Sequence, residues 1–99
     1  MAFANLIHFM RHGMKPINFD KVIISWLDIN SCDNAWNTED DLKDLVPATC
    51  TTIGYLYEEN KDWIKTFATY SFNSDSTLDV GDAVVIPRGC ILSIKKLEN

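Results

Sequence analysis

The spacing of apolar and polar positions changes period along the chain. Over residues 1–15, Phe3, Leu6, Ile7 and Met10 recur at i, i+3, i+4 and i+7, one face of a helix that Gly13 and Pro16 bring to an end. The spacing therefore predicts an N-terminal helix over 1–15, too short to be stable unless its apolar face packs on a surface. From Lys21 the period becomes two. Lys-Val-Ile-Ile-Ser-Trp-Leu-Asp-Ile at 21–29 reads as a strand whose Ile24 and Trp26 face the core. Residues 30–37 read as loop. Thr38 ahead of Glu39, Asp40 and Asp41 marks an N-cap with acids in the first turn, opening a short helix that runs to Leu45 and stops at Pro47.

Residues 49–58 predict a second strand, with Gly54 at its middle where a strong bend is expected. Residues 59–61 read as a turn, 62–71 as a third strand, and 73–76 as a polar loop. The final fifth, Asp79 to Leu97, reads as strand (82–86), a tight turn at Pro87-Arg88-Gly89, and strand (90–96). Five strands in meander order, with one helix in front and one inserted, predict a mainly β fold. It is a single domain, 1–99, with a small five-stranded SH3/Sm-like barrel over 21–97. So small a barrel leaves a strand edge open, which predicts a homo-oligomer.

Charge narrows the functional classes. Net charge is −5, and nine acids (Asp28, Asp33, Glu39, Asp40, Asp41, Asp44, Glu58, Glu59, Asp62) face only Lys43 and Lys61 between positions 28 and 62. Such a surface repels a phosphate backbone and argues against non-specific nucleic-acid binding. A local phosphate site stays open, because Arg88, Lys95 and Lys96 fall close together. Cys32, Cys50 and Cys90 form no Cys-x-x-Cys pair, so no zinc site is indicated. Cys50 and Cys90 fall in apparent strands, and reduced structural thiols in a cytoplasmic protein are expected. Neither a signal peptide nor a run of ~20 apolar residues is apparent.

The candidate binding residues are Arg88, Trp36, Tyr57 and Thr52. Arg88, in an exposed turn, suits bidentate recognition of phosphate or carboxylate. Tyr55 and Tyr57 share one strand face and Leu56 takes the other. With Leu56 inside, both tyrosines lie outside, ready to stack on a base, line a subunit interface or pack under the N-terminal helix. Trp36, in a polar loop, reads as a lid over a barrel end or as a pocket wall. Thr52 would add a hydroxyl.

His8 and His12 stand at i, i+4, but no third metal ligand is indicated, and two exposed helix residues explain them as well. Glu58, Glu59 and Asp62 crowd one turn at a spacing that matches no calcium loop. No cofactor is expected.

Leu6-Ile7-His8-Phe9-Met10-Arg11-His12-Gly13 is similar to the start of the histidine phosphatase family, whose catalysis needs further arginines and a second histidine around the phosphoryl group. Only His8 and Arg88 remain to supply them. Val84-Val85-Ile86-Pro87-Arg88-Gly89-Cys90-Ile91-Leu92-Ser93-Ile94 resembles the second signature of Sm-like proteins, and Gly54-Tyr55-Leu56 with Asp62-Trp63-Ile64 loosely echoes the first. The connection between those two parts is longer than the family's, and the Asn that follows the family's Asp is missing.

Across residues 21–97, Trp26-x-Asp28, Trp36, Cys50-Thr51-Thr52-Ile53-Gly54-Tyr55-Leu56 and the Ile-Pro-Arg-Gly turn look like short proteins common in bacteriophage genomes. That resemblance implies a phage origin and the fold, not an activity; an accessory role against host defence is expected only as a class property of phage proteins of this size. Three functions follow as expectations. The first is a non-enzymatic protein that sequesters an anionic nucleotide-type ligand, with Arg88 on phosphate and Trp36 or Tyr57 on the base. The second is an acidic interaction module that binds a basic host protein or mimics nucleic acid. The third is a phosphatase-like enzyme.

Overall fold

The computed structural model describes residues 17–98. The expected N-terminal helix, with His8, Arg11 and His12, lies outside the described residues. The rest is mainly β, in seven strands: β1 (Lys21–Asp28), β2 (Ala48–Glu59), β3 (Trp63–Phe67), β4 (Thr69–Phe72), β5 (Leu78–Gly81), β6 (Val84–Pro87) and β7 (Ile91–Lys96). One helix, α1 (Glu39–Lys43), interrupts the β1–β2 connection, and a 3-10 turn (Arg88–Cys90) joins β6 to β7.

The strands form two antiparallel sheets. The larger has the order β6-β3-β2-β1-β7, and β4 and β5 pair by themselves. No ladder joins β6 to β7, so the five-stranded sheet is not a closed barrel. It is nevertheless forced to curl. On a flat sheet its edges would lie four spacings apart, roughly 19 Å at about 4.8 Å each. The three residues from Arg88 to Cys90 bridge at most about 14 Å.

The inner face carries the core. Val22, Ile24, Ile64 and Ile86 are buried together, and Trp26, Leu56, Val84, Cys90, Ile91 and Ile94 pack around them. Residues from both edge strands thus share one apolar centre. Register explains the set: Ile24 stands opposite Thr52 on β2 and Ile94 on β7, so period-two alternation places all three on the same face. Trp26 lies inside, as its alternation with Ile24 predicts, and its indole Nε1–H donates to Thr52 Oγ1 at 2.9 Å.

Two expectations are corrected. Residues 62–71 are not one strand but β3 and β4, which belong to different sheets, and Leu78–Gly81 forms an additional strand. Cys90 sits in the 3-10 turn, against the core, rather than in a strand. The helix start is as expected and more complete: Thr38 Oγ1 accepts from Asp41 N–H at 3.2 Å, and Asp41 Oδ2 accepts from Thr38 N–H at 3.0 Å. Among the described residues, no helix is long and apolar enough to cross a membrane.

Candidate ligand-binding site

The outer face of the sheet gathers a cluster of aromatic side chains around Phe67. Tyr55 stands opposite Phe67 in register, with ring centroids 5.5 Å apart. Between Leu56 and Glu58 the β2–β3 register shifts, leaving Tyr57 unpaired on a bulge, a device that re-aims a side chain. Tyr57 turns toward Phe19, with centroids at 5.6 Å. Phe19 lies ahead of β1 and is held over β2 because the neighbouring Asp20 carbonyl accepts from Leu56 N–H at 2.8 Å. Phe67, fully buried, is the hub: Phe19 meets it edge-on at 5.5 Å, and Tyr57 and Tyr70 at 6.4 Å each.

The second wall comes from the β4–β5 ribbon. Beyond Phe67 the long hairpin breaks at Ala68 and Asp82 and then resumes, so that Leu78, Val80 and Ala83 face Phe19, Tyr57, Phe67 and Lys65 across a cavity of about 410 Å³. Thr66 also lines this cavity; its residue is buried and its hydroxyl has no hydrogen-bond partner among the described residues. Lys65 supplies the positive charge. Its ammonium lies over the Trp63 ring at 4.6 Å and over Tyr57 at 6.0 Å, with Glu58 at 4.0 Å.

At the far tip of the ribbon, Asp75 accepts from Thr77 N–H at 3.0 Å and from Thr77 Oγ1 at 2.6 Å. These bonds hold the Asp75 carboxyl below the usual aspartate value. A lowered carboxylate supports the folded turn at neutral pH, and that support is lost as pH falls through its folded value.

The four residues singled out in the sequence do not meet in one place. Tyr57 is in the groove, half-exposed at 51%. Thr52 is on the inner face, accepting from Trp26. Arg88 is tied to the β2–β3 turn, donating from Nε to the Asn60 carbonyl at 2.9 Å and placing its guanidinium 3.4 Å from Glu59. Trp36 stands 92% exposed in the β1–β2 connection.

Lys65 and Phe67 were within reach of sequence reasoning. Pairing β2 with β3 across the turn at Asn60 puts Lys65 opposite Glu58 and next to Tyr57. Phe19 and Val80 had no such signal, since a loop and an unread strand bring them in. Among the described residues, no group of three or more His, Cys, Asp or Glu side chains is placed to hold a metal ion. Comparison with known proteins finds no matching family model, curated protein or solved structure.

Proposed function

We propose that the chain is a non-enzymatic binding protein that holds a small, flat, anionic ligand of the nucleotide type in the groove between the outer sheet face and the β4–β5 ribbon. One observation carries the reading: an aromatic cavity of about 410 Å³ with a lysine at its edge. That volume is toward the lower end of ligand pockets, roughly 300–1,000 Å³, and suits one base with its sugar better than a larger oligonucleotide. Tyr57 would stack on the base, the hydrophobic ribbon would cover its other side, and Lys65 would meet the phosphate. Arg88, which does not line the groove and whose Nε–H and one Nη are turned to Asn60 and Glu59, falls outside this assignment.

The same reading takes the domain as a small SH3/Sm-like barrel. Its support is the five-strand order and the short 3-10 turn that links the two edge strands. If the sequence resemblance to short phage proteins holds, this role would be played in infected cells, where withdrawing a nucleotide signal would blunt a host response.

Calorimetric titration with the common nucleoside monophosphates tests the proposal. Binding should weaken by about 10-fold or more in Tyr57→Ala, given ~1–3 kcal/mol for a stacked base. It should weaken in Lys65→Gln and persist in Arg88→Ala. No binding by any member of the panel, or equal binding by Tyr57→Ala and wild type, would overturn it.

A further inference from the structure

Away from the groove, two surfaces of the chain are complementary to each other. The first is the outer face of β2-β1-β7. Ile23 stands in register between Ile53 and Lys95, and Lys21 precedes it by two residues on β1. Ile53 is 51% exposed. The remaining outward positions on this part of the sheet, Ser25, Leu27, Thr49, Thr51, Tyr55 and Ser93, include no carboxylate. Neither Lys21 nor Lys95 has an acidic partner among the described residues.

The second surface is the β1–β2 connection, where Ile29 and Trp36 are 91% and 92% exposed and Leu42 and Val46 are also exposed. Helix α1 buries no residue, so this segment leaves its apolar side chains without cover from its own sheet. Asp28, Asp33, Glu39, Asp40, Asp41 and Asp44 surround them, against one cation, Lys43, which is already paired with Asp40 at 3.4 Å.

An apolar face edged by lysines and an apolar loop edged by acids belong together, and the chain carries both. We propose that a second copy of this chain docks its β1–β2 connection, led by Trp36, on the β2-β1-β7 face around Ile23 and Ile53. One surface meets a different one, so two copies exchange their connections reciprocally about a two-fold axis or repeat the contact head to tail into a ring or filament, and the sedimentation series reads which. Opposite charges set the orientation, and the apolar contacts supply the adhesion.

Sedimentation velocity across a concentration series tests this. Wild type should self-associate, and the association should weaken at least 10-fold between about 0.1 M and about 1 M salt, where the Debye length falls from roughly 10 Å to roughly 3 Å. Trp36→Ala, which removes a side chain with little contact of its own, should weaken it without altering the melting temperature. The double variants Asp33→Lys/Glu39→Lys and Lys21→Glu/Lys95→Glu should each lose assembly, and their equimolar mixture should regain it. A monomer at every concentration in low salt overturns the proposal. So does association that ignores salt and Trp36→Ala, or a charge-reversed mixture that stays monomeric. Tyr57→Ala should leave assembly unchanged, which separates this interface from the groove.

Discussion

A Cβ added to Gly54 would stand 2.7 Å from the carbonyl oxygen of Phe67, a backbone atom that cannot move aside without parting β2 from β3. The glycine is there for close approach between strands. Gly54→Ala should therefore destabilise the domain by about 1–3 kcal/mol, the usual range for overpacking, as read by urea denaturation. Gly89 presents the opposite case. Its φ is not positive, and nothing lies within 4 Å of an added Cβ. Gly89→Ala should raise stability by ~0.4–1 kcal/mol, because alanine has less unfolded-state freedom to lose. Thr66 makes a third test. Its buried hydroxyl lacks a partner among the described residues, a condition that costs about 1–3 kcal/mol. Valine has nearly the same shape and suits a strand, so Thr66→Val should stabilise the ligand-free protein in the same titration. A loss of stability instead would show that the hydroxyl is satisfied in solution, by water or by a ligand.

The elements divide by whether their pattern is local. Strands β1 and β2, the α1 cap and the turn before β7 were legible because alternation, an N-cap residue and a Pro-Arg-Gly sequence each act within a few positions. The break between β3 and β4 was not, since Trp63 to Phe72 runs on without a breaker. The break is matched across the hairpin, between β5 and β6, where Asp82 adopts a left-handed φ of 54° and its carboxylate accepts from Thr69 Oγ1 at 2.6 Å. Leu78–Gly81 is hard to read locally for the related reason that Asp79 and Gly81 are residue types depleted in strands. The groove inherits this: Tyr57 was visible in the alternation of β2, whereas Val80 and Ala83 reach the site only through the ribbon. Asp82 can therefore be tested as the pivot. Asp82→Asn keeps a residue tolerant of positive φ, and should be mild. Asp82→Val places a β-branched side chain there and removes the Thr69 partner, at a cost of about 1–3 kcal/mol. In Asp82→Val, hydrogen exchange should quicken at Ala68 N–H, which donates to the Gly81 carbonyl at 3.1 Å. Unchanged exchange there would remove Asp82 from this role.

At the scale of the whole molecule, the curl of the sheet has two sources that experiment can separate. One is the tether, Arg88–Cys90, too short to join the edges of a flat sheet. The other is the core, in which Ile86 from one edge and Ile91 and Ile94 from the other pack around Ile24 and Ile64. If the core dominates, lengthening the tether should cost only loop-closure entropy. Inserting about six flexible residues after Gly89 triples the connection, which amounts to about 1 kcal/mol. Truncating the core should cost far more: Ile86→Ala removes a fully buried side chain and should destabilise by about 2–5 kcal/mol. Against a total stability of roughly 5–15 kcal/mol, that loss leaves a large unfolded population on warming. The expected order in thermal and urea unfolding is therefore wild type, then the lengthened loop, then Ile86→Ala by a wide margin. The reverse order would mean that the tether imposes the curl. The groove would then open in the lengthened protein, because its sheet wall keeps its shape only while the edges are held together.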